Sequence, residues 1–184
     1  MQVISLNKKL LKWTFAIYLF LLSWAIVFKC FSFYLFDNIS GGLEKTFFER
    51  FFTVNLIPFY TMFGFIKYKS VFHGILFFVN FLITIPFGVF ISFFIKSNKK
   101  FLYIFLTFFF IELVQTIFVI GGIDSTDIIM NCLGCFVGVW LYNKYVKQTS
   151  DNTINKICKH VVIWGGLICI LAIIYSIINI INFL

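Results

Sequence analysis

Charged residues are scarce in this sequence: of its 184 residues only 12% are Asp, Glu, Lys or Arg, and only seven are acidic. Proline is scarce too, with two residues in the whole chain. An average soluble domain has about a quarter of its residues charged, so an ordinary soluble protein is excluded. Apolar residues make up 61% of the chain, with 29 Phe among them. The composition therefore predicts a protein that resides in a lipid bilayer.

The net charge of +8 would suggest a nucleic-acid partner in a soluble chain. Here, however, the lysines stand in short groups between long apolar runs. That pattern is typical of membrane topology, not of a nucleic-acid groove. We therefore expect no nucleic acid among the partners.

The apolar runs predict an all-α, polytopic membrane bundle of about five helices, because about 20 apolar residues are needed to cross the bilayer. The predicted spans are residues 10–28, 71–95, 101–120, 125–142 and 161–184. Residues 30–70 are expected to form an external segment, in which aromatic and polar residues alternate and Pro58 breaks any long helix. The whole chain, 1–184, is predicted to form a single integral membrane domain.

The positions of the lysines predict the orientation of the chain in the membrane, since short basic loops stay cytoplasmic. Three lysine groups alternate correctly with the spans: Lys8, Lys9 and Lys12; Lys96, Lys99 and Lys100; and Lys144, Lys147, Lys156 and Lys159. The turn 121–126 has no basic residue and is expected outside. The N-terminus is thus predicted inside and the C-terminus outside.

The first span also has features of a cleavable signal peptide, with lysines before an apolar run and Ser23-Trp24-Ala25 as a candidate cleavage site. We favour retention, because the apolar run continues to Phe28 and the alternation of charge requires a span there.

Polar residues inside the predicted spans are the candidate site, since an ionisable side chain in a membrane costs a few kcal/mol. Glu112 and Gln115 lie on one face of span three, and span two carries Asn80. In span four, which opens at Asp124, one helical stripe holds the following residues: Asp127, Asn131, Gly134 and Gly138. Helical rise puts Asn80, Glu112 and Asn131 roughly 9–13 Å below the outer ends of their spans. These residues predict one cavity that opens to the outside.

Structural interpretations compete with this one. Asp124 could be only a helix N-cap with Asp127 in the first turn. Glu112 could be protonated and hydrogen-bonded to Gln115, and the pair would then only help to hold neighbouring helices together. Gly134 and Gly138 form a small-xxx-small pair, which predicts close packing of helices three and four. Arg50 is the only arginine and is a candidate for binding a carboxylate or phosphate, although an arginine in a loop is more often simply solvated.

No cofactor or metal is expected. Cys132 and Cys135 form a Cys-x-x-Cys inside a membrane span, without the second ligand pair that zinc needs or the strand-to-helix context of a redox motif.

Several segments resemble the VanZ family of glycopeptide-resistant bacteria. They are Asn55-Leu-Ile-Pro-Phe59, Asn80 with Ile85-Pro-Phe-Gly88, and Glu112-Leu-Val-Gln115 followed by Ile120-Gly-Gly-Ile-Asp124-Ser-Thr-Asp127-Ile-Ile-Met-Asn131-Cys-Leu-Gly134. The combination of E-x-x-Q with the later D-x-x-D-x-x-x-N-x-x-G is specific to this family, whereas each motif alone is weak evidence for the resemblance. Thr84 departs from the family pattern, which usually has an aromatic residue there, and Gly122 stands where many relatives have Arg.

The resemblance implies a multi-pass protein of the bacterial plasma membrane that raises resistance to teicoplanin-type glycopeptides. Membrane lipids are expected partners, with a lipid-linked peptidoglycan precursor or the drug as candidate ligand. The candidate binding residues are Arg50, Asn55, Asn80, Glu112, Gln115, Asp124, Asp127 and Asn131. Binding without catalysis is the leading hypothesis. The alternatives are an intramembrane enzyme that uses Glu112 or Asp127 as a base, and a purely structural membrane component.

Overall fold

The computed structural model describes residues 5–39, 55–59, 71–117 and 123–183. These residues form five α-helices and one short 3₁₀ helix, and no β-strand occurs among them. The α-helices are α1 (Lys8–Ile39), α2 (Val71–Phe94), α3 (Lys99–Ile117), α4 (Ser125–Lys144) and α5 (Asp151–Phe183), and the 3₁₀ helix is Val146–Gln148. The all-α prediction is confirmed.

Two helix boundaries differ from the predicted spans by about ten residues. Helix α1 continues to Ile39, so residues 30–39 of the predicted external segment are helical. The reason is that Lys29 does not interrupt a helix, and no Gly or Pro follows before Gly41. Helix α5 begins at Asp151, ten residues before the predicted span, because the Ser150 hydroxyl caps it by accepting a hydrogen bond from Thr153 N–H at 3.3 Å.

Three of the described helical stretches are long and apolar enough to cross a membrane: Lys99–Ile117, Ser125–Gln148 and Asp151–Tyr175. The shorter stretch Phe78–Phe94 is apolar as well. Many of their large apolar side chains face outward, as lipid-facing side chains do in a membrane bundle. The protein is therefore an all-α membrane helical bundle.

The chain divides into two compact units. Unit 1 comprises Met1–Lys29 with Gln148–Leu184, and unit 2 comprises Cys30–Lys147.

In unit 1 the start of α1 runs parallel to α5. Leu6 N–H donates to Asp151 Oδ2 at 3.0 Å, and the Thr14 hydroxyl lies 3.4 Å from the carbonyl oxygen of Cys158. Further along, a Cβ on Gly165 would contact the side chain of Ile17. Because residue numbers rise together in both helices, α1 and α5 point in the same direction.

Unit 2 is built on the close contact between α2 and α4. A Cβ placed on Gly134 would collide with the carbonyl oxygen of Phe81, and one on Gly138 with that of Ile85. In return, a Cβ on Gly88 would collide with the carbonyl oxygen of Cys135. The prediction that the glycine pair packs against helix three is wrong: both glycines face α2, which runs parallel to α4.

Helix α3 runs antiparallel to both neighbours. The Phe87 and Phe108 rings contact edge to face with centroids 5.5 Å apart, and Phe101 and Phe136 do so at 5.3 Å. One side chain in every turn of α3 is buried, which defines its packed face: Lys100, Ile104, Phe108, Glu112 and Thr116. Glu112 is therefore held inside unit 2 by the register of this face.

A matched pair of Gly→Ala substitutions tests the contact between α2 and α4. Gly138→Ala adds a methyl group that overlaps the backbone of α2, and overpacking of this kind costs about 1–3 kcal/mol. Gly166→Ala adds the same group where, outside its own helix backbone, none of the described residues lies within 4 Å, and alanine stabilises a helix relative to glycine. We expect Gly138→Ala to lower the unfolding midpoint in detergent by about 5 °C, while Gly166→Ala leaves it unchanged or raises it. Equal midpoints would contradict this packing.

Candidate functional site

The first turn of α4 carries two carboxylates. Asp124 is its N-cap and accepts a hydrogen bond from Thr126 N–H at 2.8 Å, and Asp127 follows in the first turn. The N-cap interpretation of Asp124 is thus confirmed. Both carboxylates lie beside the positive end of the helix dipole, which stabilises each negative charge by about 0.3–1 kcal/mol.

The segment 55–59 pairs with the residues that begin this helix. Asn55 N–H donates to the Ile123 carbonyl at 2.8 Å, and Ser125 N–H donates to the Asn55 carbonyl at 3.0 Å, which makes an isolated parallel β-bridge. The Asn55 side-chain amide also lies 3.5 Å from Asp124 Oδ2. At the other end of the segment, Phe59 has a left-handed backbone with φ of 63° and donates its N–H to Thr126 Oγ1 at 2.9 Å.

The neighbouring helices contribute one polar side chain each. From α2, Asn80 Nδ2 donates to Asp127 Oδ1 at 2.7 Å, and Asn80 is only 7% exposed. From α3, Glu112 Oε2 accepts from Asp124 N–H at 3.4 Å, and Glu112 is 3% exposed. Two helices and one extended segment therefore converge on the start of α4.

Five of the predicted site residues are joined in this way, and we call them the polar cluster: Asn55, Asn80, Glu112, Asp124 and Asp127. Asn131 is buried one turn further along α4, on the stripe that faces α2. Gln115 is half-buried on α3, one turn from Glu112. Arg50 lies outside the described residues, so its place relative to the cluster stays a prediction.

Two hydroxyl residues of the site were missed by sequence reasoning. Thr126 is buried. Its hydroxyl accepts a hydrogen bond from Phe59 N–H, and its backbone N–H donates one to the Asp124 carboxylate. The Ser125 hydroxyl oxygen is also buried, and it has no hydrogen-bond partner in the part of the chain that the structure describes. The run Asp-Ser-Thr-Asp before an apolar stretch is a capping signal that could have drawn attention to both residues.

The polar cluster is rich in acceptors. Its three carboxylates can each accept several hydrogen bonds, since an ionised carboxylate has about four acceptor positions. Ligands with several O–H or N–H groups fit such a site. Among the described residues, no three His, Cys, Asp or Glu side chains are grouped as metal ligands would be. Cys135 is buried and donates its thiol to the Thr84 carbonyl at 3.3 Å.

Comparison with known proteins identifies the family. A family model described as VanZ/LLP1 matches residues 15–147, which include the whole polar cluster. Protein VanZ of Enterococcus faecium is 28% identical over 173 residues, which cover 92% of this chain and 94% of that protein. No solved structure matches the chain. The chain belongs to the VanZ/LLP1 family.

Proposed function

We propose that this protein is a multi-pass protein of the bacterial plasma membrane that raises resistance to teicoplanin-type glycopeptides through an outward-facing binding site at the polar cluster. Membership of the VanZ/LLP1 family and the similarity to Protein VanZ support the resistance role. The three candidate spanning stretches and the apolar stretch Phe78–Phe94 support the multi-pass character.

The helix directions support the proposed orientation. In unit 2, α2 and α4 run parallel to each other and antiparallel to α3, so the helices alternate in direction along the chain. In unit 1, α1 and α5 are parallel, as a chain with three spans between them requires. Lys96, Lys99 and Lys100 stand between α2 and α3, and Lys144 stands at the end of α4. Short basic loops of this kind stay inside. The polar cluster is then on the outer side.

The single observation that carries the binding role is the Ser125 hydroxyl. It is buried at the start of α4 without a partner among the described residues, directly beside Asp124. Leaving such a group unsatisfied costs about 1–3 kcal/mol, and buried polar groups in folded proteins are almost always paired. A bound ligand group at this position would satisfy the hydroxyl.

The acceptor-rich chemistry of the cluster narrows the ligand. Glu112, Asp124 and Asp127 accept hydrogen bonds, and Asn80 and Ser125 can both donate and accept. The ligand is therefore a donor-rich molecule at the outer membrane surface. The saccharide and peptide parts of a lipid-linked peptidoglycan precursor, or the sugars and amides of the glycopeptide itself, have this character.

Ser125→Ala separates binding from folding. The substitution deletes a hydroxyl that makes no hydrogen bond among the described residues, so the protein without ligand should be as stable as the wild type or more so. Resistance should fall, because the ligand loses its contact. The measurements are the unfolding midpoint in detergent and the minimal inhibitory concentration of teicoplanin. A variant with unchanged resistance at equal abundance would count against the proposal.

Glu112→Gln tests the charge of the buried carboxylate. The amide keeps the size of the side chain and can still accept from Asp124 N–H, so the protein should stay in the membrane at normal abundance. We expect cells that express this variant to be as susceptible to teicoplanin as cells that lack the protein. The matched control is Asp151→Asn, the same acid-to-amide change in unit 1, where the new amide oxygen can still accept from Leu6 N–H. If the two variants behave alike, the polar cluster is only structural.

Asp127→Asn distinguishes binding from catalysis. A binding site alters no lipid, so extracts from cells that express the wild type, the variant or no protein should contain the same lipid-linked species by mass spectrometry. Binding of labelled teicoplanin to cells should change with the wild type and not with the variant, since Asp127 accepts from Asn80 and faces the site. A new lipid species that depends on Asp127 would replace the binding role with an enzymatic one.

A further inference from the structure

The opposite end of unit 2 is strongly basic. Five lysines stand at the end of α2, the start of α3 and the end of α4, and we call them the lysine end: Lys96, Lys99, Lys100, Lys144 and Lys147. The stretches 84–111 and 128–147, which form this half of the unit, contain no Asp or Glu. These two stretches thus provide no carboxylate to neutralise the lysine end.

Lys100 is the most unusual of these residues. It lies in the first turn of α3, which has no acidic residue, and it is only 7% exposed. The contact described for its ammonium group is the Phe101 ring, with the centroid 5.9 Å from Nζ. A cation near the positive end of a helix dipole is unfavourable. An anion at this position would offset this effect.

Neutral groups hold two other ammonium groups of the lysine end in place. Lys96 Nζ donates to the Tyr142 hydroxyl at 2.6 Å and to the Ser92 carbonyl at 3.3 Å. Lys144 Nζ lies 4.8 Å from the Trp140 ring centroid and 5.2 Å from that of Tyr145. These contacts fix the position of each charge without cancelling it.

We propose that the lysine end is a binding site for the phosphate-bearing headgroup of an anionic phospholipid. The start of a helix binds phosphate through its free N–H groups, and lysines at a membrane surface attract anionic headgroups. Trp140 and Tyr145 are exposed beside Lys144, and such aromatics prefer the headgroup level of a bilayer. The headgroup lies against these lysines, and its acyl chains lie along the exposed apolar side chains of the helices.

The test uses the full chain in a neutral detergent. Phosphatidylglycerol is titrated, and binding is followed by native mass spectrometry and by the rise in unfolding midpoint, with phosphatidylcholine and inorganic phosphate as separate arms. Each lysine removed should weaken phosphatidylglycerol binding about fivefold, so that Lys96→Gln/Lys100→Gln should bind about 25-fold more weakly. Lys144→Gln changes an exposed side chain and should bind phosphatidylglycerol about fivefold more weakly. It tests the proposal even if the double variant misfolds.

The matched control is Lys12→Gln/Lys159→Gln, which removes the same charge from two exposed lysines of unit 1. It should bind phosphatidylglycerol like the wild type. Three results would overturn the proposal: an equal loss in the control, wild-type binding by Lys144→Gln, or no preference of the wild type for phosphatidylglycerol over phosphatidylcholine. Inorganic phosphate that binds as tightly as the lipid would also overturn it, since a free anion would then be the ligand.

Discussion

The backbone contact between α2 and α4 is the constraint on which the rest of unit 2 depends. In a bilayer, apolar side chains give helices little reason to associate, so close packing at small residues and polar contacts must hold them together. Gly134 and Gly138 on α4 and Gly88 on α2 allow the two backbones to touch. Once this register is set, Asn80 lies opposite Asp127 at one end, and Lys96 lies opposite Tyr142 at the other.

The polar cluster follows from this register and from the needs of a helix start. The first N–H groups of any helix lack partners within the helix. Here the Asp124 carboxylate accepts from Thr126 N–H, and the Asn55 carbonyl accepts from Ser125 N–H. Glu112 in turn accepts from the backbone of Asp124. The same carboxylates thus stabilise α4 and form the acceptor surface of the candidate site, and the Ser125 hydroxyl is the group that this capping arrangement does not use.

Apolar run length was enough to predict the all-α membrane class, because the bilayer fixes the minimum length of a spanning helix. The ends of the helices were harder to predict. In α1, for example, the helix continues past Lys29, because a single lysine does not stop a helix. The spacing of Asp127, Asn131, Gly134 and Gly138 correctly predicted one face of α4 but not its partner, since a stripe carries no information about which neighbour covers it. Ser125 and Thr126 were missed because hydroxyl residues in a turn are common, and their burial depends on segment 55–59, which is distant in sequence.

The two ends of unit 2 differ in how side-chain charge matches the helix dipoles. Asp124 and Asp127 lie at the start of α4, and Lys144 lies at its end, so each charge has the sign that the helix favours. Lys99 and Lys100 lie at the start of α3, where the sign is unfavourable. In the proposed orientation the positive-inside preference accounts for these lysines, because it acts on loops regardless of which helix end adjoins them. The start of α3 therefore keeps a positive potential that its own helices do not neutralise, and an anionic headgroup is the counter-charge that a membrane supplies at that depth.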